Sequence, residues 1–349
     1  MGRQNSDKVA ENAQRMTTQE ITDLLSDYDL VVDGAEEQAP GIWRLITDGG
    51  LYCLHVVNFS RPRLLFIHSV MEHLAKKGYK NTPRMIRNKH GEAFSCPQPG
   101  TAVYLTEWHA GRPFSFSRTD QAVSICRLLA RLHLHAVDFV PLQGSLNLEA
   151  WGQWPEKLRH RKEEIRLLAG QIDAKEHHSK AERNFLSNLS YFLEQADKAL
   201  EILDSEEYYA LVNREKAFGA LCFRDIGTRN VKRQDGDLNI TSLDYAICDL
   251  RIYDLAKLLQ RACGGTNWNW EKAFQMLKEY EEIRPLSPEE KKVLLALITF
   301  PRYYWLYAKK YLARYLSTGD ASGDMLKKVI KCEGDRVEFL NRLNQYVYN

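Results

Sequence analysis

The sequence predicts an α+β protein of two unlike parts: a small antiparallel sheet carrying one helix, then a larger, mainly helical region. Three observations predict it. Residues 30–108 hold short apolar runs that alternate with polar positions and are separated by Gly, Asn and Asp turns. The run His109-Ala110-Gly111-Arg112-Pro113 then breaks the pattern, as a hinge between domains does. Beyond it, most segments repeat apolar residues at three- and four-residue steps.

In chain order, residues 1–16 are polar and read as a disordered lead. Residues 17–28 carry Ile21, Leu24 and Leu25 at helical spacing, with Thr17 or Thr18 as the cap. Strands follow at 30–33, 42–47 and 51–57, the last two joined by Asp48-Gly49-Gly50. A helix over 63–77 buries Leu64, Ile67, Val70, Met71 and Leu74. Two further strands, 83–87 and 102–108, flank the turn Asn88-Lys89-His90-Gly91. The first part therefore spans 17–109 and the helical part 110–349. In the latter, helices are expected at 120–136, 154–172, 181–203, 252–263, 270–280, 287–299, 301–316 and 324–343. The stripe Phe300, Tyr304, Tyr307, Tyr311 and Tyr315 fits a core face or a ligand cage. Trp151, Trp154, Trp268 and Trp270 fit packing or a pocket in the same way.

Composition narrows the class. A 349-residue chain with 44% hydrophobic and 27% charged residues is ordinary for a globular protein with a real core. A formal net charge of +2 argues against a polyelectrolyte partner, so no nucleic acid is expected. The basic run 157–162 is followed by Glu163 and Glu164 and reads as a solvated helix face. Seven widely spaced cysteines with no C-x-x-C read as buried free thiols in a reducing compartment. A polar N-terminus without an apolar core segment predicts cytoplasmic synthesis without a signal peptide. No apolar run reaches the roughly 18 residues of a membrane span.

The chemistry concentrates in residues 221–244, LCFRDIGTRNVKRQDGDLNITSLD. Asp225 is followed five residues later by Asn230, then by a hairpin break at Asp235-Gly236-Asp237 and an alternating strand ending on Asp244. Phosphoryl transfer of the kinase type uses this order of groups. One carboxylate takes the proton of the incoming hydroxyl, while an amide and a second carboxylate hold the metal on ATP.

The sequence resembles a protein-kinase-like phosphotransferase of the aminoglycoside phosphotransferase and choline kinase group. That group's H-G-D-x-x-x-x-N loop corresponds to Phe223-Arg224-Asp225 through Asn230. Its I-D-[FY] and x-x-D-[LI]-A segments correspond to Leu243-Asp244-Tyr245 and Tyr253-Asp254-Leu255-Ala256, and Leu129 to His133 reads L-A-R-L-H. Within the group, the chain is most similar to spore coat proteins of the CotS type. The shared stretches are L-C-x-x-D-x-G-T-x-N at Leu221 to Asn230, L-A-K-K-G at Leu74 to Gly78, G-R-P-F at Gly111 to Phe114, and the helix entry Leu286-Ser287-Pro288-Glu289-Glu290. The resemblance covers nearly the whole chain after the lead. It implies a two-lobed fold with an antiparallel-sheet N-lobe and a helical C-lobe, ATP and Mg²⁺ as cofactors, and spore coat location. It also implies a small-molecule acceptor or other spore coat proteins as partners.

Carried over residue by residue, the resemblance makes Asp225 the catalytic base and Asn230 and Asp244 the metal ligands. His55 and Trp108 would contact nucleotide, and Phe223 and Asp254 would brace the loop. Asp254 also fits a helix N-terminal carboxylate satisfying backbone N–H groups. The chain departs from the family at three places. The lysine that usually meets the α- and β-phosphates is His55, its glutamate partner falls near Ile67 with Glu72 further on, and the loop histidine is Phe223. An imidazole of ordinary pKa supplies no fixed positive charge at pH 7. Loss of one preorganised donor typically costs about 10²–10³ in rate. Two readings follow: a phosphotransferase of weak or atypical activity, or a non-catalytic kinase-like scaffold of the spore coat.

Overall fold

The computed structural model describes residues 16–234, 236–264, 268–315 and 324–348. All but the last residue of the polar lead 1–16 lies outside them, as do Asp235 of the hairpin break and Leu316. The chain forms two compact units. One contains the residues through Phe114 together with Phe139–Leu148 and Thr228–Ala246, and the other contains Ser115–Asp138, Glu149–Gly227 and the chain from Ile247 on. The sheet-bearing unit is thus not a single stretch of chain.

In that unit, helix α1 (Thr18–Leu24) begins in a capping box: Thr17 accepts from the Glu20 amide, and Glu20 reaches back to the Thr17 amide. Strands β1 (Val32–Ala39), β2 (Ile42–Thr47), β3 (Gly50–Val57), β4 (Ser95–Gln98) and β5 (Thr101–Glu107) form one antiparallel sheet of order β1-β2-β3-β5-β4. Helix α2 (Arg61–Lys76) follows β3, as predicted. The strand expected at 83–87 is a single bridge, Ile86 to Leu105, and β4 takes the sheet edge instead. The β4 segment contains Pro97, which suits only an edge.

Strand alternation decides what the sheet offers. Leu54, Val103 and Leu105 face a core with Trp43, Leu45, Ile21, Leu24 and Leu25. The cross-strand pairs Cys53–Thr106 and His55–Tyr104 therefore share the opposite face. The unit also holds a small sheet of β6 (Arg112–Pro113), β8 (Val231–Gln234) and β9 (Asp237–Ile240). Gly111 enters it so closely that a Cβ would lie 2.6 Å from the Arg233 carbonyl oxygen. That contact explains the glycine of G-R-P-F.

The second unit holds helices α3 (Thr119–His135), α4 (Trp154–Asp173), α5 (Lys180–Leu203), α6 (Glu206–Ala217), α7 (Ile252–Cys263), α8 (Trp270–Glu281), α9 (Pro288–Thr299), α10 (Arg302–Tyr315), α11 (Asp324–Lys331) and α12 (Glu333–Tyr348). A two-stranded pairing of β7 (Leu221–Cys222) with β10 (Ile247–Cys248) joins them. Helix α6 was not legible in the sequence, and the helix expected over 324–343 is two, broken at Cys332. In the aromatic stripe, Tyr304 stacks on Phe185 and Phe192 and Tyr307 is buried, so this part of it is core. Five of the cysteines are buried, whereas Cys96 is exposed. Among the described residues no helix is long and apolar enough to cross a membrane.

Candidate active site

The loop after β7 runs from Phe223 to Gly227 within the helical unit. Its geometry is set by Asp254, in the first turn of α7. The carboxylate of Asp254 accepts from the Phe223 and Arg224 amides, both at 2.6 Å, so it serves the loop's amides. It also faces His133 Nε2 at 3.3 Å. Arg224 occupies the position of the family's glycine and has φ of 61°, a left-handed conformation that side chains rarely adopt. Such a residue costs on the order of 1–3 kcal/mol and persists only where its surroundings over-determine it. Here the Asp254 bond to its amide does so, with the Lys257 ammonium on its carbonyl and the guanidinium over the Tyr253 ring.

Asp225 is buried, with Arg261 donating to its Oδ1 at 2.7 Å and the Lys257 ammonium 3.4 Å away. Gly227 leaves room for that pairing, since a Cβ there would meet Arg261 Nη1 at 2.5 Å. Phe223, in the place of the loop histidine, lies parallel to the His133 ring with centroids 6.0 Å apart. An imidazole is thus present beside the loop, delivered by α3.

His133 is fully buried, and burial pushes its pKa down to about 4 against the pull of Asp254. The neutral ring is wired at both nitrogens. The Asp254 carboxylate can only accept, so Nε2 of the neutral ring is its donor and Nδ1, 2.7 Å from the Tyr280 hydroxyl, is left as the acceptor. Behind it, Arg284 donates to the Tyr280 oxygen at 3.0 Å and to Glu290 at 2.7 Å. Arg251 pairs with Glu215 through two bonds of 2.6 and 2.8 Å and caps the His133 carbonyl. The sequence reading placed His133 only inside a motif and missed Tyr280, Arg284, Glu215 and Arg251. None of these has a local signature, because each partner is at least 36 residues from the one it serves, Arg284–Glu290 and Arg284–Tyr280 excepted.

The sheet-bearing unit holds the other predicted residues. Asn230 directly precedes β8 and Asp244 follows β9, in the segment 241–246 beyond the strand on which it was expected to end. The Thr241 amide donates to the Asn230 carbonyl, and Asn230 Nδ2 lies 3.5 Å from the Ser242 carbonyl, so the two loops travel together. Asp244 is buried; Tyr104 donates to its Oδ1 at 2.6 Å, Ser242 accepts from its amide, and Arg63 donates to its carbonyl. A carboxylate and an amide oxygen suit a hard divalent cation that takes its other ligands from phosphate and water. Among the described residues no group of three or more His, Cys, Asp and Glu side chains is placed to hold a metal ion.

His55, on β3, stacks on Tyr104 with centroids 4.2 Å apart and planes 8° from parallel. Its Nε2 sits 3.3 Å from Thr106 Oγ1, and its Nδ1 is buried with no partner among the described residues. Burial pushes its pKa down to about 4, opposed by the Asp244 charge. The residue read from the sequence as standing at the lysine position is therefore a neutral ring. Ile67 is fully buried, and Glu72 forms a bidentate pair with Arg84 at 2.6 and 3.0 Å. No lysine–glutamate pair forms there among the described residues. Trp108 lies at the end of β5, half-buried, with its amide on the Leu51 carbonyl.

Comparison with known proteins places the fold and the family. The chain is 26% identical over 283 residues to a protein named homoserine kinase from Parvibaculum lavamentivorans, covering 79% of this chain and 77% of that one. It is 21% identical over 305 residues to the endospore coat-associated protein YutH of Bacillus subtilis, covering 84% and 83%. The solved structure of an aminoglycoside phosphotransferase from Alicyclobacillus acidocaldarius superposes with a TM-score of 0.82 at 20% identity, over 93% of this chain and 96% of that one. The fold is therefore that of the kinase-like phosphotransferases. A family model described as spore coat putative kinase YutH matches residues 12–343, and the chain belongs to that family.

Proposed function

We propose that this chain is an ATP- and Mg²⁺-dependent phosphotransferase of slow turnover, acting on the hydroxyl of a small molecule in the bacterial spore coat. The observation that carries the reading is the left-handed Arg224, held by Asp254 so that the loop presents Asp225. A strained backbone kept by a buried carboxylate and a wired histidine is costly scaffolding for a loop without a task. In this reading the acceptor oxygen bonds to the γ-phosphorus as the bond to the β–γ bridging oxygen breaks. ADP leaves with that electron pair, and the acceptor proton passes to Asp225. Asn230 and Asp244 would hold Mg²⁺, which would neutralise phosphate charge. Tyr104 fixes the rotamer of Asp244 through its 2.6 Å bond. His55 cannot supply the usual cation, and this is the reason for slow turnover. Trp108 is read as a nucleotide contact at the end of β5.

The neutral, half-satisfied His55 also favours a second reading, a kinase-like scaffold whose partners are other coat proteins. A thermal-shift titration separates the two. ATP with Mg²⁺ at about 100 times Kd should add about 2.7 kcal/mol of stability to the parent. Asp244→Ala should lose most of that shift. A parent that does not move at millimolar nucleotide contradicts the phosphotransferase reading.

A further inference from the structure

Asp244 is held from three sides within the sheet-bearing unit. From β5, Tyr104 donates to its Oδ1 at 2.6 Å. From the first turn of α2, the Arg63 guanidinium donates to its main-chain carbonyl at 2.6 Å, across 181 residues of chain. From its own loop, Ser242 Oγ accepts from its amide at 3.2 Å. Carboxylate, carbonyl and amide are thus each fixed by a different partner. The two distant holders are themselves braced. Tyr104 is fully buried and stacks on His55, with ring centroids 4.2 Å apart. Arg63 lies over the Phe59 ring at 4.6 Å. Burial, and then the Asp244 charge, raise the Tyr104 pKa well above its ordinary value. Its proton therefore stays on the phenol, and the bond runs from phenol to carboxylate.

The first holder concerns α2. Glu72 is the only carboxylate of that helix and is taken by Arg84, while Ile67 is fully buried. The helix reaches Asp244 through Arg63 instead. A charge-assisted bond to a main-chain carbonyl fixes the backbone of the residue relative to the helix. The second holder concerns the carboxylate. The phenol proton engages Oδ1, whereas Oδ2 accepts from no described residue. A carboxylate with one oxygen engaged offers a cation the other. Mg²⁺ fits single carboxylate oxygens in an octahedral shell completed by phosphate and water, whereas Ca²⁺ also takes a carboxylate through both oxygens.

We infer that Arg63 and Tyr104 are positioning residues for Asp244: Arg63 ties its backbone to α2, and Tyr104 restricts it to one metal-facing oxygen. The inference deepens the phosphotransferase reading and rests on it for the metal. Neither residue is asked to touch nucleotide; both act through Asp244.

Calorimetric titration of the full chain with the ATP analogue AMP-PNP tests it, in Mg²⁺, in Ca²⁺ and in excess EDTA. The ratio of Mg²⁺ to EDTA affinity reads what the metal adds, and the ratio of Mg²⁺ to Ca²⁺ affinity reads the ligand oxygens. Contacts of the nucleotide alone cancel in both. Arg63→Met should cut the metal's contribution by about tenfold or more, as the loss of a charged hydrogen bond does, and change the EDTA affinity by less than about threefold. Arg63→Lys, which keeps a donor, should retain the greater part of that contribution. Tyr104→Phe should move the Mg²⁺ to Ca²⁺ ratio towards Ca²⁺ by about tenfold, because Oδ1 is released. An Arg63→Met chain that keeps the whole metal contribution, or loses affinity equally in EDTA, overturns the role of Arg63. A Tyr104→Phe ratio equal to the parent's overturns the role of Tyr104. A parent that binds AMP-PNP no better in Mg²⁺ than in EDTA overturns both and leaves nucleotide binding standing. A parent that binds under none of the three conditions sinks the phosphotransferase reading itself, and this inference with it.

Discussion

Two buried histidines are held in opposite ways, His133 by partners on both ring nitrogens and His55 by a partner on one. His133 and His55 are equally withdrawn from water, and burial lowers both to about 4. His133 has a partner at each nitrogen and stands in a chain running from Arg284 through Tyr280 to Asp254 and the loop amides. His55 has one long contact, a stacked phenol ring and an orphaned Nδ1. The difference teaches where precision is kept. The groups wired around the loop of Asp225 have their partners, whereas the ring read as standing in for a fixed charge is neutral and has one nitrogen without a partner among the described residues.

The largest effect should come from breaking the well-wired side. Asp254→Ala leaves the Phe223 and Arg224 amides and His133 without their acceptor and releases the strain at Arg224. Urea unfolding should show a loss of about 3–5 kcal/mol, since each bond to a charged group contributes about 1.5–3. A loss under about 1 kcal/mol would mean that Asp254 does not hold the loop.

Acid comes next. Each ring's folded pKa of about 4 lies below its ordinary 6.5. The folded chain therefore binds fewer protons than the unfolded chain between those values. The stability due to the neutral rings is complete above about pH 6.5 and is lost as pH falls towards 4, by roughly 3 kcal/mol per ring. His55→Leu should remove about half of that slope. It should cost under about 1.5 kcal/mol at pH 7.5, because a half-satisfied imidazole gives up little to an apolar side chain. An unchanged slope in this variant would contradict the burial argument for His55.

The smallest change is a gain. His55→Lys places a cation on the same face of β3, near Asp244, and should tighten ATP–Mg²⁺ binding by about tenfold, or 1.4 kcal/mol. Weaker or unchanged binding by calorimetry would show that residue 55 is not at the phosphate-facing position.

The sequence made some of this legible and hid the rest for physical reasons. The α+β class, an antiparallel sheet with α2 after β3, and most helix limits follow from period and caps, which are local. Thr17 with Glu20 and Ser287 with Glu290 are such caps, each a signal four residues long. Helix α6 was hidden because most of its face is polar, with few buried positions. Strand β4 was hidden because Pro97 speaks against a strand, and only edge pairing permits it. Tyr104 lay inside a predicted strand, but nothing local says that its hydroxyl reaches a carboxylate 140 residues on. The family resemblance supplied the roles of Asp225, Asn230 and Asp244. It could not supply the wiring of His133, whose partners Tyr280 and Asp254 come from α8 and α7 and form no motif in the chain.

The central claim is that the retained loop still turns over despite the neutral His55. The most direct test follows ADP formation from ATP and Mg²⁺ under single-turnover conditions, in the parent and in Asp225→Ala, with nucleotide affinity measured in both. Slow ADP formation in the parent, reduced by about 10²-fold or more in Asp225→Ala at unchanged affinity, is the predicted result. Equal rates in the two proteins, or a parent rate no greater than that of buffer, would contradict it.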